Sequence, residues 1–489
     1  MYLEVIGLSE RSLLLNTVLL GTIVSAATGF VLTQYYGVDV LSSLLNEPYD
    51  CVADWGIKVG RHCFSDYTLP LKFAMRPNPW ESDPPFLPAY FKPAHNNYPA
   101  AAMVPELAFG MLGHVVGAPR LGLLCYLVAL TVSCSVPAVW AARGVGGPER
   151  LLILAVCGVA AVPAWMAIDR GNSVGFAVPI MLAFLVALCR RRWGHVVALV
   201  ILASLVRPQF VILAIPLLAA RQWRMGLTAV AGSIVLNLAA YGLWPRYFPS
   251  TIIQTVHNTL GYGSFSLSVS NGNVSFAKGL LAVLDGVKAG QTGGNIPDGF
   301  LAGPRSVIGY VVLALIVICA LVLGRRIPPV MVGIVALAAA SLSPAVSNRY
   351  YLVFALAVAA LVVRDPNGQP GIGIFDRSLT VGGRRRAVGL CVCFASAVSI
   401  AQIALPGPPI RVAITGSAVE IDTILNLAVT TVLFVPISWL VTCGVILTSY
   451  ARRSDSAQSS DLPCPQEERS QGAEPASSAA DDVPALSAK

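Results

Sequence analysis

Apolar runs close to the length of about 20 residues that carries an α-helix across a bilayer recur from residue 12 to residue 450, and they limit what this chain can fold into more than any other feature. The first is LLLNTVLLGTIVSAATGFVL, residues 13–32. With 55% hydrophobic and 12% charged residues, the chain has about half the charged fraction of a soluble domain. Its 489 residues therefore read as one membrane domain, residues 1–450, of all-α polytopic class. Before the first run, Glu4 and Glu10 stand against Arg11, a poor start for a signal peptide, so the run is expected to be an uncleaved helix. Residues 451–489 are rich in Ser, Ala, Pro and charge. They hold too little apolar surface to offset ordering and are expected to be a disordered cytoplasmic tail.

Arginines orient the chain. Arg143 and Arg150, Arg190 to Arg192, Arg221 and Arg224, Arg325 and Arg326, the group from Arg364 to Arg386, and Arg452 and Arg453 all flank apolar runs. One assignment puts every group on the cytoplasmic side, following the excess of Lys and Arg in cytoplasmic loops. About ten crossings then fall at 12–33, 121–142, 151–168, 173–189, 225–244, 306–324, 328–343, 349–363, 387–405 and 424–450. This describes a multi-pass protein of the cell membrane with both termini cytoplasmic. The net charge of +8 belongs to these loops. It forms no basic patch interleaved with aromatics, so nucleic acid is not an expected partner.

Two segments fit no full crossing. GHVVALVILASLVRPQFVILAIPLLAA, between Arg192 and Arg221, has arginines at both ends and must enter and return. Its arms, 194–207 and 208–220, meet at Arg207-Pro208. A central arginine costs at least about 2.5 kcal/mol on insertion scales, so Arg207 either snorkels or pairs structurally, or it meets a phosphate. Residues 100–117 begin and end on one side and read as an interfacial or re-entrant helix, in which Glu106 is not expected to face lipid.

With this topology the polar motifs share the extracytoplasmic side. They are YDCVADWGIKVGRHC at 49–63 in a first loop spanning 35–120, IDRGNS at 168–173, the long loop 245–304, and SPAVSNRYY at 343–351. The chain has no internal repeat of the kind transporters show. One-sided chemistry points to an enzyme.

The ordered set resembles the polyprenol-phosphate-sugar-dependent glycosyltransferases of family 87, within the C-type membrane glycosyltransferase superfamily, from residue 45 to 363. The matching positions are Asp54, Tyr67 and NNYPAAAMVPE at 96–106; DRGNS at 169–173 opening a helix that ends in CRRRW at 189–193; Arg207-Pro208 followed by RQWR at 221–224; SNGNVSF at 270–276; and Ser343-Pro344 ahead of Arg349-Tyr350. Ala100, Arg207 and Arg349 stand where a proline, a lysine and a histidine are usual.

The resemblance implies a C-type architecture and transfer of a sugar, mannose by analogy, from a polyprenyl-phosphate donor to a lipid or glycan hydroxyl with inversion. Membrane lipid surrounds such a site. A polyprenyl-phosphate-dependent arabinofuranosyltransferase is the alternative within the class, and a lipid or polysaccharide transporter the alternative outside it. An inverting transfer needs a carboxylate to take the acceptor proton. Asp54 is read as that base or as a loop-folding carboxylate, with Asp50 and Asp66 as rivals. Arg207, Arg349 and Arg170 are candidates for the donor phosphate, since guanidinium stays charged and grips two oxygens; Arg170 follows Asp169 and could instead form a local ion pair. Tyr67, Asn97, Tyr98, Asn172, Asn273 and Tyr350 are candidates for sugar or acceptor contact, the asparagines at Gly-Asn steps being equally readable as turn residues.

His62 and His95 read as loop histidines. No HExxH, paired-cysteine or acidic metal spacing occurs, so neither metal nor cofactor is expected. Eight of eleven cysteines lie in or beside apolar runs and read as small apolar residues. Cys51 and Cys63 flank Asp54 and are a disulfide candidate on an oxidising side.

Overall fold

In the computed structural model, the apolar runs become helices of two kinds. The structure describes residues 8–38, 64–81, 95–261, 272–293, 296–297, 299–377, 386–414 and 421–451, with backbone alone for 408–414 and 421–428. Asp50, Cys51, Asp54, His62 and Cys63 lie outside the described residues, as does the tail.

The chain order is α1 (Glu10–Tyr36), α2 (Ser65–Ala74), α3 (Val104–Val115), α4 (Pro119–Ala141), α5 (Gly147–Leu154), α6 (Val162–Arg170), α7 (Ala177–Cys189), α8 (Trp193–Val206), α9 (Ile215–Ala219), α10 (Trp223–Ala239), α11 (Ser250–Gly261), α12 (Phe276–Leu280), α13 (Ala282–Gln291), α14 (Ala302–Leu323), α15 (Pro329–Leu342), α16 (Phe354–Val363), α17 (Ile374–Arg377) and α18 (Arg386–Ile400). Strands β1 (Ala404–Ile414) and β2 (Ile421–Thr430) follow, then α19 (Val435–Ala451). Among the described residues, five helical segments are long and apolar enough to cross a bilayer, and a sixth forms if the bent pair α5–α6 counts as one.

The long helices α1, α10 and α14 turn many apolar side chains outward, Leu227, Ile234 and Val322 among them. That is the arrangement of helices bathed in lipid. The short α15 and α16 are apolar all round. Every α16 residue and nearly all of α15 are buried, as expected of helices at the centre of a bundle. The expected crossing at 151–168 is bent by 46° between its halves. A π-helical turn at Ala155–Val159 and Pro163 interrupt the backbone ladder and account for the bend. The expected crossing at 424–450 is corrected at its start, because β2 pairs antiparallel with β1 and helix resumes only at α19. Pro406, Pro408 and Pro409 lie in β1. They cannot continue a helix, and the register shifts between Pro406 and Pro409. Among the described residues this hairpin is the departure from the all-α expectation.

Several helix ends converge on one side of the bundle. Arg11 Nε donates to Val363 O at 3.1 Å, Arg364 Nη1 to Trp140 O at 2.7 Å, and Arg190 Nη2 to Pro366 O at 2.7 Å. The start of α1 and the ends of α4, α7 and α16 therefore share one arginine-rich end. From that end α7 and α8, with 13 and 14 residues, run only about 20 Å at 1.5 Å per residue. A hydrocarbon core is about 30 Å thick, so whatever caps these helices at their far ends is recessed.

The packing of α3 against α4 depends on glycine. A Cβ on Gly122 would meet Phe109 O at 2.4 Å, whereas one on Gly146 would meet nothing within 4 Å. Gly122→Val is expected to destabilise the protein by about 1–3 kcal/mol through overpacking, with Gly146→Ala close to neutral. Thermal unfolding of the two variants in detergent measures the contrast.

Candidate functional site

At the recessed ends, four elements separated in sequence bring polar side chains together. Arg207 occupies the break between α8 and the turn Pro208–Ala214, with φ −148° and ψ 118°. The residue before a proline is pushed out of helical geometry into extended backbone. Its Nη2 donates to Asn172 Oδ1 at 3.0 Å, its guanidinium lies 4.6 Å from the centre of the Tyr98 ring, and its Nε has no partner. The side chain is buried. Among the described residues no carboxylate lies within ion-pairing distance of Arg207.

Asn172 is the junction. It caps the turn Ser173–Phe176, its Oδ1 also accepting from Val174 N at 3.0 Å. Its Nδ2 donates to Asp66 Oδ2 at 3.0 Å. The same Asp66 oxygen accepts from Arg170 Nε at 2.8 Å, and Oδ1 accepts from Arg170 Nη2 at 3.3 Å, a two-pronged pair. Gly171 makes this approach possible. Its φ is +67°, and a Cβ there would meet Tyr67 Cβ at 2.8 Å, so both the turn and the packing of α6 against α2 require glycine.

Tyr98 is held over Arg207 from below. Asn96 Oδ1 accepts from Tyr98 N at 3.0 Å, and Trp80 Nε1 donates to Tyr98 O at 2.8 Å. Tyr350 closes the opposite side with its ring 5.9 Å from the Arg170 guanidinium, and its hydroxyl accepts from Asn348 Nδ2 at 2.8 Å. Beneath lies a second layer. Tyr126 donates to Gly171 O at 2.9 Å, and Glu106 Oε1 lies 3.4 Å from the Tyr126 hydroxyl. Tyr67 packs 4.7 Å from Tyr126 with its own hydroxyl buried and unpartnered.

The sequence-predicted residues thus sort into groups. Arg207, Arg170, Asn172, Tyr98 and Tyr350 assemble around Asp66, and Tyr67 lies one layer away. Arg170 grips Asp66, 104 residues distant, so of the three arginines proposed for phosphate it carries a carboxylate already. Arg349 is buried at the start of the turn Arg349–Val353, beside Tyr350. Asn97 offers its backbone carbonyl to Thr259 Oγ1 at 3.4 Å, while its neighbour Asn96 is the buried one. Of the two readings of Asn273, sugar contact or turn residue, its hydrogen bonds are those of a residue that fixes backbone. Its Oδ1 accepts from Ser275 N and Ser347 N, and its Nδ2 donates to Ala345 O, because this residue pins the 272–276 segment to the loop after α15.

Two residues beyond the motif positions matter as well. Tyr126 lies within an apolar run and carries no sequence signal. Glu106 was legible only as a charge inside such a run. It is fully buried with Oε2 unpartnered, on a 12-residue helix too short to span. Burial pushes its carboxyl from 4.5 up to about 7, against the pull of the Arg207 charge. Among the described residues no three His, Cys, Asp or Glu side chains converge as metal ligands.

A carboxyl whose folded value is raised contributes stability that is complete below its unfolded value and lost as pH rises through the folded one. Thermal stability is therefore expected to fall between about pH 4.5 and pH 7, and Glu106→Gln to flatten that decline. Melting curves across this range decide it. Asp66→Asn should cost about 1.5–3 kcal/mol, the value of hydrogen bonds to a charged group, seen as an earlier unfolding transition, because it removes the anion that Arg170 and Asn172 share.

No family model matches this chain, and no curated protein or solved structure matches it, so the chemistry of the site itself carries the functional reading.

Proposed function

We propose that the chain is a C-type membrane glycosyltransferase that moves a sugar, mannose, from a polyprenyl-phosphate donor to a hydroxyl of a lipid or glycan acceptor with inversion. The observation that carries this reading is Arg207, a buried cation with no carboxylate within ion-pairing distance among the described residues, at the recessed end of a short helix. An unpaired charge in such surroundings is costly, and such costs are borne where an anion is to be received. A phosphate on an apolar tail is an anion that can arrive at that depth from within the bilayer.

In this reading the arginine-rich end and both termini are cytoplasmic, and the site is extracytoplasmic. The acceptor oxygen attacks the anomeric carbon, the bond from that carbon to the phosphate oxygen breaks, and the acceptor proton passes to a carboxylate. Asp54, in the sequence ahead of α2, is assigned as that base. The leaving phosphate departs with the bonding electrons toward Arg207, where a fixed guanidinium stabilises the developing charge. Arg349 is the second cation proposed for the donor. Tyr98 and Tyr350 are assigned to offer aromatic faces to the sugar, and Asn172, with Tyr67 and Asn97 farther out, is kept as a candidate for sugar or acceptor contact. One carboxylate suffices, since an activated phosphate leaves without a protonated acid, unlike the leaving group in glycoside hydrolysis.

Purified protein incubated with labelled polyprenyl-phosphate mannose, polyprenyl-phosphate arabinose and membrane lipid acceptors is expected to give a mannosylated lipid. Asp54→Asn should lower turnover at least about 100-fold while donor binding survives, whereas Arg207→Ala should weaken donor binding. Absence of transfer from every donor, together with passage of labelled lipid across proteoliposomes containing the protein, would establish transport instead.

A further inference from the structure

Two helices of the 245–304 segment are built inside out. On α11 the buried positions are Thr251, Thr255 and Asn258, and the outward ones are Ile253, Val256 and Leu260. Ile253 and Leu260 are each 71% exposed, while Thr251 is 0% exposed. Each set recurs every three or four residues, the spacing of one helix face, so the polarity of the helix is reversed as a unit. On α13 the same holds. Asp285 points inward, paired with Lys278 Nζ at 2.9 Å and with the Arg305 guanidinium, while Val283, at 77% exposed, and Val287 point out.

Water selects the opposite arrangement, so these outward faces require an apolar medium. The chain supplies its position directly. α11 follows α10 through a connection whose Leu243 and Phe248 are also exposed, and α13 precedes α14, so each face neighbours in sequence a helix whose own outward side chains are apolar and which is long enough to span a bilayer. We infer that α11 and α13 are interfacial helices whose outward faces are seated in the acyl region of the bilayer leaflet at the site's end.

The polar face of α11 then has a definite task. Asn258 Nδ2 donates to Asn96 O at 3.0 Å and to Trp80 O at 3.2 Å, and Gln254 Oε1 accepts from Asn78 Nδ2 at 3.1 Å. Asn96 and Trp80 are the two residues that fix Tyr98 over Arg207. A helix held by lipid on one face thereby holds the wall of the site on the other. The inference rests on the membrane nature of the chain and is independent of glycosyl transfer.

Nitroxide labels introduced singly at positions 253 and 283 of the full-length protein test it. A ketone-bearing amino acid coupled to a hydroxylamine nitroxide leaves the native cysteines untouched. In phospholipid vesicles, collision rates with oxygen, which partitions into acyl chains, and with a water-soluble nickel chelate are read by power saturation. The expected result at both positions is high oxygen and low nickel accessibility, equal to that of a reference label at position 227 on α10. High nickel accessibility would place the faces in water and overturn the inference. Low accessibility to both reagents would show a second copy or another protein covering them, and would overturn it equally.

Discussion

Among the described residues, a hydrogen bond from Arg207 to Asn172 links the two parts of the candidate site. On one side of it lies a guanidinium on a broken helix, and on the other a chain of contacts from Asn172 through Asp66 to Arg170. An arginine inside an apolar bundle must be hydrogen-bonded or leave the interior. Here Asn172 supplies one acceptor and the Tyr98 ring a face. The rest of the site follows: α2 must come close enough to offer Asp66, Gly171 must be glycine to admit it, and the 95–98 segment must fold across the top.

The shortness of the central helices gives this network its depth. α7 and α8 end well before a bilayer's thickness is crossed, and the non-α backbone that precedes α7 and follows α8 would be intolerable against lipid. Non-helical backbone at depth survives only where protein or a wet cavity covers it. The turn Ser173–Phe176 packs against α4, α6 and the turn Arg349–Val353, and the turn Pro208–Ala214 packs against α10 and the buried α15. The fold thus sets a cluster of polar side chains inside an apolar body.

In the proposed reading, a polar cluster within an apolar bundle suits a reaction between an amphiphilic phosphate and a hydroxyl, because the charged head and the apolar tail both find matching surroundings there. The proposed interfacial helices extend that logic outward. Lipid on the apolar face of α11 and the Tyr98-bearing segment on its polar face would make the bilayer part of what shapes the site.

Much of this was legible in the residues alone, for identifiable reasons. The break at Arg207-Pro208 is a local consequence of proline geometry, and the burial of Glu106 follows from the cost of a carboxylate against lipid; neither needs knowledge of any distant residue. The lipid-crossing helices announce themselves by length and hydropathy. What only the tertiary structure decided is pairing across sequence: that Arg170 takes Asp66, 104 residues away, that Asn273 is used by backbone of the loop after α15, and that Tyr126 joins Glu106 to Gly171. The inverted faces of α11 and α13 belong here too, since an amphipathic pattern fixes which residues share a face but not which way that face turns. Strand pairing between β1 and β2 was likewise hidden, because an apolar β-branched run reads equally as buried helix until a partner strand is present. Local sterics and transfer energies are written into neighbouring residues, whereas the choice of partner depends on which surfaces the folded chain brings together.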